Sequence, residues 1–99
     1  MSRHQVVDAN CPLCGADAVY YDIDYGERHY FKCPTCTKFI VTNQADRHLR
    51  EIATHGKELS RAAQEATKDN DDRVLEVRYQ FSPPGLTAQV VKKSDYPSL

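Results

Sequence analysis

The chain has 99 residues, of which 40% are apolar and none is Trp, so a large catalytic core is excluded and any hydrophobic core must be thin. Thirteen Lys and Arg against 14 Asp and Glu give a formal charge of −1, which excludes a general attraction to nucleic acid or to an anionic membrane. The longest apolar run, residues 18–21, is too short to span a bilayer, and no hydrophobic signal segment follows Met1, so we expect a cytoplasmic protein without membrane contact.

Two cysteine pairs of the form C-x2-C are the strongest signal in the chain. Cys11 and Cys14 form the first pair, and Cys33 and Cys36 form the second. Two intervening residues let the backbone bring both sulfurs of a pair to one ion, and a reducing compartment favours metal binding over disulfides. We predict a closed, structural Zn²⁺ site with four thiolate ligands. A rubredoxin-like iron centre and disulfides remain as alternatives, whereas a thioredoxin-type redox pair suits the strand-like surroundings less well.

A β-hairpin is predicted between the two cysteine pairs. Apolar and polar residues alternate over residues 19–25, residues 25–27 form a turn, and residues 28–32 return. A third strand over residues 38–41 completes a three-stranded antiparallel sheet, so residues 1–42 are predicted to form a zinc ribbon. Its aromatic side chains are expected to form core rather than a base-stacking surface, and His29 is expected on the sheet face rather than as a fifth ligand.

One long amphipathic helix is predicted over residues 43–68. Thr42 and Asn43 precede it, and Asp46 follows Asn43 at capping-box spacing. Apolar and small residues recur every three or four positions and form what we call the helix seam: Ala45, Leu49, Ile52, Gly56, Leu59, Ala63 and Ala66. Two independent helices have no reason to share one phase, so we expect a continuous helix through Gly56, despite a cost of about 1 kcal/mol for an interior glycine.

The face opposite the helix seam carries charged residues of both signs. The basic row is Arg47, Arg50, Lys57, Arg61 and Lys68, and the acidic row is Glu51, Glu58 and Glu65. One interpretation is a solvated face crossed by ion pairs such as Arg47–Glu51 and Glu58–Arg61. The other is a phosphate-contacting stripe, to which His48 and His55 add. On the second interpretation the predicted nucleic-acid contacts are Arg28, Lys38, Arg47, Arg50, Lys57 and Arg61.

A second β-hairpin is predicted over residues 73–92, with a turn at residues 82–85 and a mobile tail at residues 93–99. An isolated hairpin is marginal in water, so its apolar face needs a partner. The helix seam is one candidate, and the alternative is that the seam pairs with a second copy in a homodimer. The predicted fold class is α+β: a small zinc ribbon followed by one long helix and a C-terminal β-hairpin.

Residues 11–50 resemble the Ogr/Delta-type zinc-finger activators of phage late transcription. The resemblance is carried by Cys11-Pro12-Leu13-Cys14, Glu27-Arg28-His29-Tyr30, Phe39-Ile40-Val41-Thr42 and a following helix that contains Arg47. It implies a small zinc-bound protein that contacts promoter DNA and RNA polymerase. The chain differs from the family in having two residues rather than four inside its second cysteine pair.

Three classes of function follow from these patterns. The first is a nucleic-acid-associated or transcription-related module, and the second is a protein-interaction adaptor that docks through the helix seam or the hairpin edge. The third is an enzyme, for which the sequence offers only an acidic hairpin tip, Asp22, Asp24 and Glu27, that resembles transcript-cleavage zinc ribbons. We expect a binding module and not an enzyme. Four thiolates and one Zn²⁺ add −4 + 2 = −2 to the formal charge of −1, which gives −3 and confines positive charge to local surfaces.

Overall fold

The computed structural model describes residues 6–23, 27–51, 56–68, 72–81 and 84–92. In chain order these residues form β1 (Val7–Asn10), β2 (Asp17–Ile23), β3 (Arg28–Cys33), β4 (Thr37–Thr42), α1 (Asn43–Glu51), α2 (Gly56–Lys68), β5 (Arg73–Phe81) and β6 (Pro84–Lys92). The strands make one mixed sheet in the order β1-β2-β3-β4-β5-β6. Within these residues, neither helix has the length and apolar character that a membrane span requires.

The first four strands form an antiparallel meander. Strands β2 and β3 pair from Val19 opposite Lys32 to Ile23 opposite Arg28, as the alternation in the sequence predicts. Strand β4 adds to β3 along its whole length. Strand β1 was not predicted, because its four residues are too few to show a period of two.

The predicted division into a three-stranded ribbon, one long helix and a separate hairpin is wrong. Strand β5 pairs with β4 in parallel, with Ile40 opposite Glu76, so the C-terminal hairpin extends the ribbon sheet. Parallel neighbours need a long crossover connection, and α1 and α2 lie in the segment that joins β4 to β5. Neither strand alone contains a sequence pattern that predicts this pairing between residues distant in the chain.

The predicted single helix over residues 43–68 is also wrong, since the described residues form two helices, α1 and α2. Residues 52–55, which include Ile52 and His55 of the predicted pattern, lie outside the described residues. The first helix is capped by Thr42, whose Oγ1 accepts a hydrogen bond of 3.3 Å from the Ala45 N–H. The predicted turns at residues 25–27 and 82–85 lie partly, and the predicted tail at 93–99 wholly, outside the described residues.

The helix seam packs against the sheet of the same chain. The described seam residues that are buried are Ala45, Leu49, Gly56, Ala63 and Ala66, and Leu59 is half-buried. Both helices contact β4 and β5, where the seam joins a core that includes Phe39, Val41 and Val77. The hairpin strand β5 is therefore one of the partners of the described part of the seam.

The opposite face of the sheet carries a second, smaller core. Ile23, Tyr30, Ile40 and Val74 are buried together there, with the Tyr21 ring edge-on to Tyr30 at a centroid distance of 5.2 Å. Both faces of the central strands are thus apolar. Because both of its faces are covered, β4 contains a continuous apolar run, Phe39-Ile40-Val41, and not an alternation of apolar and polar residues.

Glu76 is the charged residue most deeply placed on that second face, with 0% of its surface exposed. Arg78 Nε donates to its Oε1 at 2.6 Å, and Gln89 Nε2 donates to the same oxygen at 3.2 Å. Arg28 Nε lies 3.3 Å from Oε2. A buried carboxylate requires such partners, so these contacts tie β3, β5 and β6 together.

Candidate metal centre

The four cysteines come together at one point on the ribbon. Their Sγ atoms all lie within 4.8 Å of one another, although the two pairs belong to separate turns of the chain. The Cys11 and Cys36 sulfurs are 3.7 Å apart, and those of Cys14 and Cys33 are 3.5 Å apart. Cys14 is exposed and the other three are buried. The donor set thus sits at the edge of the main core, with one sulfur toward solvent.

These separations suit a metal ion rather than disulfides. A disulfide brings two sulfurs to about 2.05 Å, far closer than the 3.5 and 3.7 Å that separate these sulfurs. A tetrahedral ion with metal–sulfur bonds of about 2.3 Å, the length found for zinc, places its ligands about 3.8 Å apart. The four thiols therefore fit one tetrahedral ion and can supply all of its ligands.

The first cysteine turn is closed by the main chain. The Gly15 N–H donates to the Cys11 carbonyl at 2.8 Å, and the Cys11 N–H donates to the Ala16 carbonyl at 2.8 Å. Gly15 adopts a φ of 79°, a left-handed conformation that glycine reaches without a Cβ clash. A glycine directly after Cys14 therefore allows this turn to close without strain.

The second cysteine turn uses a threonine at the corresponding position. Thr37 follows Cys33 by four residues, as Gly15 follows Cys11, and it adopts a φ of 71°. Positive φ is unusual for a β-branched residue and persists where surrounding contacts impose it. The Thr37 hydroxyl supplies such contacts, since it lies 2.8 Å from Thr67 Oγ1 and donates to the Ala63 carbonyl at 3.4 Å. Helix α2 therefore holds this turn in place.

Helix α2 also contacts the sulfurs and the first turn directly. The Ser60 hydroxyl lies 2.9 Å from Cys36 Sγ in a buried position, where it can donate to a metal-bound thiolate. Gly56 meets the first turn so closely that a Cβ added there would lie 2.3 Å from the Leu13 carbonyl oxygen. Sequence reasoning missed both roles, although Gly56 and Ser60 lie four residues apart on one helix face, the spacing that could have signalled a shared contact.

The protonation of the thiols depends on the ion. Burial raises the pKa of Cys36 to about 11 and also raises the pKa of Cys11. Burial also opposes ionisation of Cys14, but hydrogen bonds from the Ala16 N–H and from the neighbouring cysteines lower its pKa overall. Buried thiolates are stable only beside a compensating cation, and metal binding must displace the thiol protons.

His29 is engaged away from the four sulfurs. Its Nε2 lies 3.2 Å from Asp22 Oδ1, and its Nδ1 lies 3.2 Å from Asp46 Oδ2. The ring stacks on Tyr20 at a centroid distance of 4.4 Å. His29 therefore occupies the sheet-face position that we expected for it. Of the predicted acidic tip, Asp22 is used in this contact and Asp24 lies outside the described residues.

The six predicted nucleic-acid contacts fall on two faces of the protein. Arg28 and Lys38 lie on the face opposite the helices, and Arg28 is paired with Glu76. Arg50 is held by Asp46 and donates to the Asn10 carbonyl at 2.8 Å. The remaining three, Arg47, Lys57 and Arg61, are exposed on the helices. The structure therefore does not bring the six into one surface.

The ion pairs expected along the helices are not formed. Across the described part of the chain, the ion pairs of the helices join Asp46 to Arg50 and to His29, and none joins Arg47 to Glu51 or Glu58 to Arg61. Arg47, Lys57 and Arg61 thus carry their charge in solvent. This helix layer, defined by α1 and α2, thus presents four exposed cations that form no ion pair among the described residues, Arg47, Lys57, Arg61 and Lys68, beside the exposed carboxylates of Glu51, Glu58 and Glu65.

Comparison with known proteins identifies no relative: no protein-family model, curated protein or solved structure matches the chain. The resemblance to Ogr/Delta-type activators therefore has no support from a family match.

Asp46 provides a test of how the helix layer is attached to the ribbon. Although burial opposes ionisation, the hydrogen bond to His29 and the charge of Arg50 lower its pKa below the ordinary 3.8. A depressed pKa contributes stability that is complete above the unfolded value and is lost as the pH falls through the folded value. At neutral pH we expect Asp46→Asn to lower the free energy of unfolding by about 1–2 kcal/mol.

A double-mutant cycle with Arg50→Gln measures this contribution in urea-induced unfolding of the metal-loaded protein at neutral pH. The expected coupling is favourable, because Arg50 Nε donates to Asp46 Oδ1 at 2.7 Å. Arg47→Gln is the matched control in the same helix, and it should change stability by less than about 0.5 kcal/mol. Additive effects of the Asp46 and Arg50 substitutions would contradict the assignment.

Proposed function

We propose that this protein is a non-catalytic module, built around a structural Zn²⁺, that contacts nucleic acid through its helix layer. The zinc assignment rests on four sulfurs at tetrahedral separations. Four protein ligands leave no open coordination position for water or substrate, which favours a structural role over a catalytic one. Metal analysis of the purified protein is expected to give one zinc per chain, and stoichiometric iron instead would refute that assignment.

The nucleic-acid proposal rests on one observation: the exposed cations of the helix layer are not engaged by acidic neighbours in the described residues. Arg47, Lys57 and Arg61 remain available for phosphate oxygens. Helix α2 holds this layer on the zinc ribbon, because its Ser60 contacts Cys36 and its Thr67 contacts Thr37 of the second cysteine turn. Because this layer is already folded, presenting its exposed cations to phosphate oxygens costs little backbone ordering on binding.

Duplex retardation in a gel over a range of salt concentrations tests this proposal. The wild type is expected to retard DNA at low salt, and the triple variant R47A/K57A/R61A should bind less tightly with a salt dependence shallower by about one unit per lost contact. The control R73A/K92A removes two exposed cations outside the helix layer and should leave the retardation unchanged. Absence of wild-type retardation at low salt, or equal loss in both variants, would refute nucleic-acid binding by the helix layer.

The second candidate is the protein-interaction adaptor. Since the described residues of the helix seam are buried or half-buried, the hairpin edge is the more accessible of its two predicted docking surfaces. Strand β6 forms that edge and is largely exposed. On this alternative, retardation fails while the chain still associates with another protein through β6.

A further inference from the structure

The two edges of the sheet differ in how they are protected from pairing with another strand. Strand β1 has four residues and carries Asp8 in the middle. Strand β6 has nine residues, and its first charged side chain is Lys92 at the very end. Short length and inserted charge are the usual means by which proteins block an edge, and β6 has neither.

We propose that β6 pairs antiparallel with β6 of a second copy of this chain, so that the two sheets join across a twofold axis at Ala88. In this register Leu86 lies opposite Val90 of the other copy, and Ala88 lies opposite its own equivalent. These three residues share the helix-facing side of the sheet, because they are opposite Tyr79, Val77 and Leu75 of β5. The register thus sets apolar residues beside apolar residues on that side.

The pairing accounts for the exposed apolar side chain of Val90. It is 52% exposed at a position where the adjacent strand carries the buried Leu75. Contact with Leu86 of the second copy would cover part of that exposed surface. Since Leu86 already packs against the main core, the apolar layer beneath the helices would continue from one copy into the next.

The other side of the sheet is equally compatible with the same register. There Thr87 lies opposite Gln89 of the second copy, which places two neutral polar side chains together. At the ends of the pairing, on the helix-facing side, Lys92 lies opposite Pro84, so no like charges meet there. The uncharged strand is therefore complementary to itself on both sides, which favours a second copy over a partner with a charged strand.

The pairing also determines where the helices lie in the dimer. A twofold axis that relates antiparallel edge strands in one continuous sheet stands perpendicular to the sheet, so both helix layers lie on the same side. The exposed cations of the helix layer would then be presented twice on one face. The dimer itself depends only on β6, so its failure and the failure of nucleic-acid binding are separate results.

Sedimentation velocity of the metal-loaded protein, from low to high micromolar concentration, tests the proposal. The wild type should sediment as a dimer, and Val90→Lys should weaken the dimer by about 100-fold because it places a charge in the apolar contact. Val7→Lys is the matched control on strand β1, where Val7 is 37% exposed, and it should leave the dimer intact. A monomeric wild type, a dimeric Val90→Lys or a monomeric Val7→Lys would each overturn the assignment.

A crosslink tests the register without relying on a destabilising charge. Opposed residues in antiparallel strands have Cα atoms about 4.5–5.5 Å apart, within the range of a disulfide. Ala88→Cys in the metal-loaded protein should therefore form a covalent dimer in a glutathione redox buffer, whereas Val7→Cys should not. A covalent dimer from Ala88→Cys alone supports the twofold axis at Ala88, and its absence contradicts that register.

Discussion

Removal of the metal is expected to unfold the whole protein and not only the cysteine turns. Cys11, Cys33 and Cys36 belong to the main hydrophobic core, together with Phe39, so the site cannot open without exposing that core. Structural zinc binds with an apparent free energy of about 10–16 kcal/mol, and small domains are stable by only about 5–15 kcal/mol. Loss of the ion should therefore remove most or all of the net stability.

Circular dichroism and thermal unfolding before and after chelation measure this effect. We expect loss of strand and helix signal with chelator and full recovery on return of Zn²⁺. Cys36→Ser should reproduce the chelated state, because it removes a buried ligand. A folded protein with a cooperative thermal transition after verified removal of the metal would contradict the assigned structural role.

Ser60→Ala is a graded control for the same experiment. It removes only the hydroxyl that lies 2.9 Å from Cys36 Sγ and leaves all four ligands in place. Loss of a partner of a metal ligand typically weakens metal affinity by about 10- to 100-fold. We therefore expect Ser60→Ala to remain folded with zinc bound and to lose the metal at a lower chelator concentration than the wild type.

Gly56→Ala is expected to have the second largest effect. The preference of about 1 kcal/mol for alanine over glycine applies to helix interiors, whereas Gly56 is the first residue of α2, so propensity does not offset a steric clash there. In the structure an added Cβ would lie 2.3 Å from the Leu13 carbonyl oxygen, and main-chain atoms cannot move aside without displacing the Cys11–Cys14 turn. We expect a net loss of about 3 kcal/mol in the free energy of unfolding.

The measurement combines urea-induced unfolding with a competitive zinc titration, because displacement of Leu13 should weaken metal binding as well. Lys57→Ala, the next residue in α2, is exposed and should change both quantities little. A gain in stability from Gly56→Ala would mean that the helix does not approach the first cysteine turn as described.

Local patterns in the sequence were sufficient for the ligands and for much of the strand pairing. The C-x2-C spacing depends on turn geometry within a few residues, and it correctly indicated that Cys11, Cys14, Cys33 and Cys36 meet. Period-two alternation likewise located the β2–β3 and β5–β6 hairpins. Both patterns involve only neighbouring residues, so they are visible in the sequence before the fold is known.

The spacing of the helix seam correctly indicated which side of the helices packs against the sheet. Its unbroken repeat wrongly suggested one continuous helix. Ala45 and Ala63 share one phase because α1 and α2 pack on the same sheet, not because they belong to one helix. A common packing surface imposes a common period on two separate elements. Two separate helices can therefore share one phase when both pack on the same sheet.

The sequence by itself determined a four-cysteine cluster able to hold a metal ion, its turns and two hairpins, because each depends on contacts between residues close in the chain. Only the tertiary structure decided that the hairpins join one sheet through the parallel β4–β5 pairing, and that Glu76 is buried among Arg28, Arg78 and Gln89. It also gave Ser60, Thr37 and Gly56 their roles around the metal site. These contacts join residues distant in sequence, where neither spacing nor propensity specifies which surfaces meet.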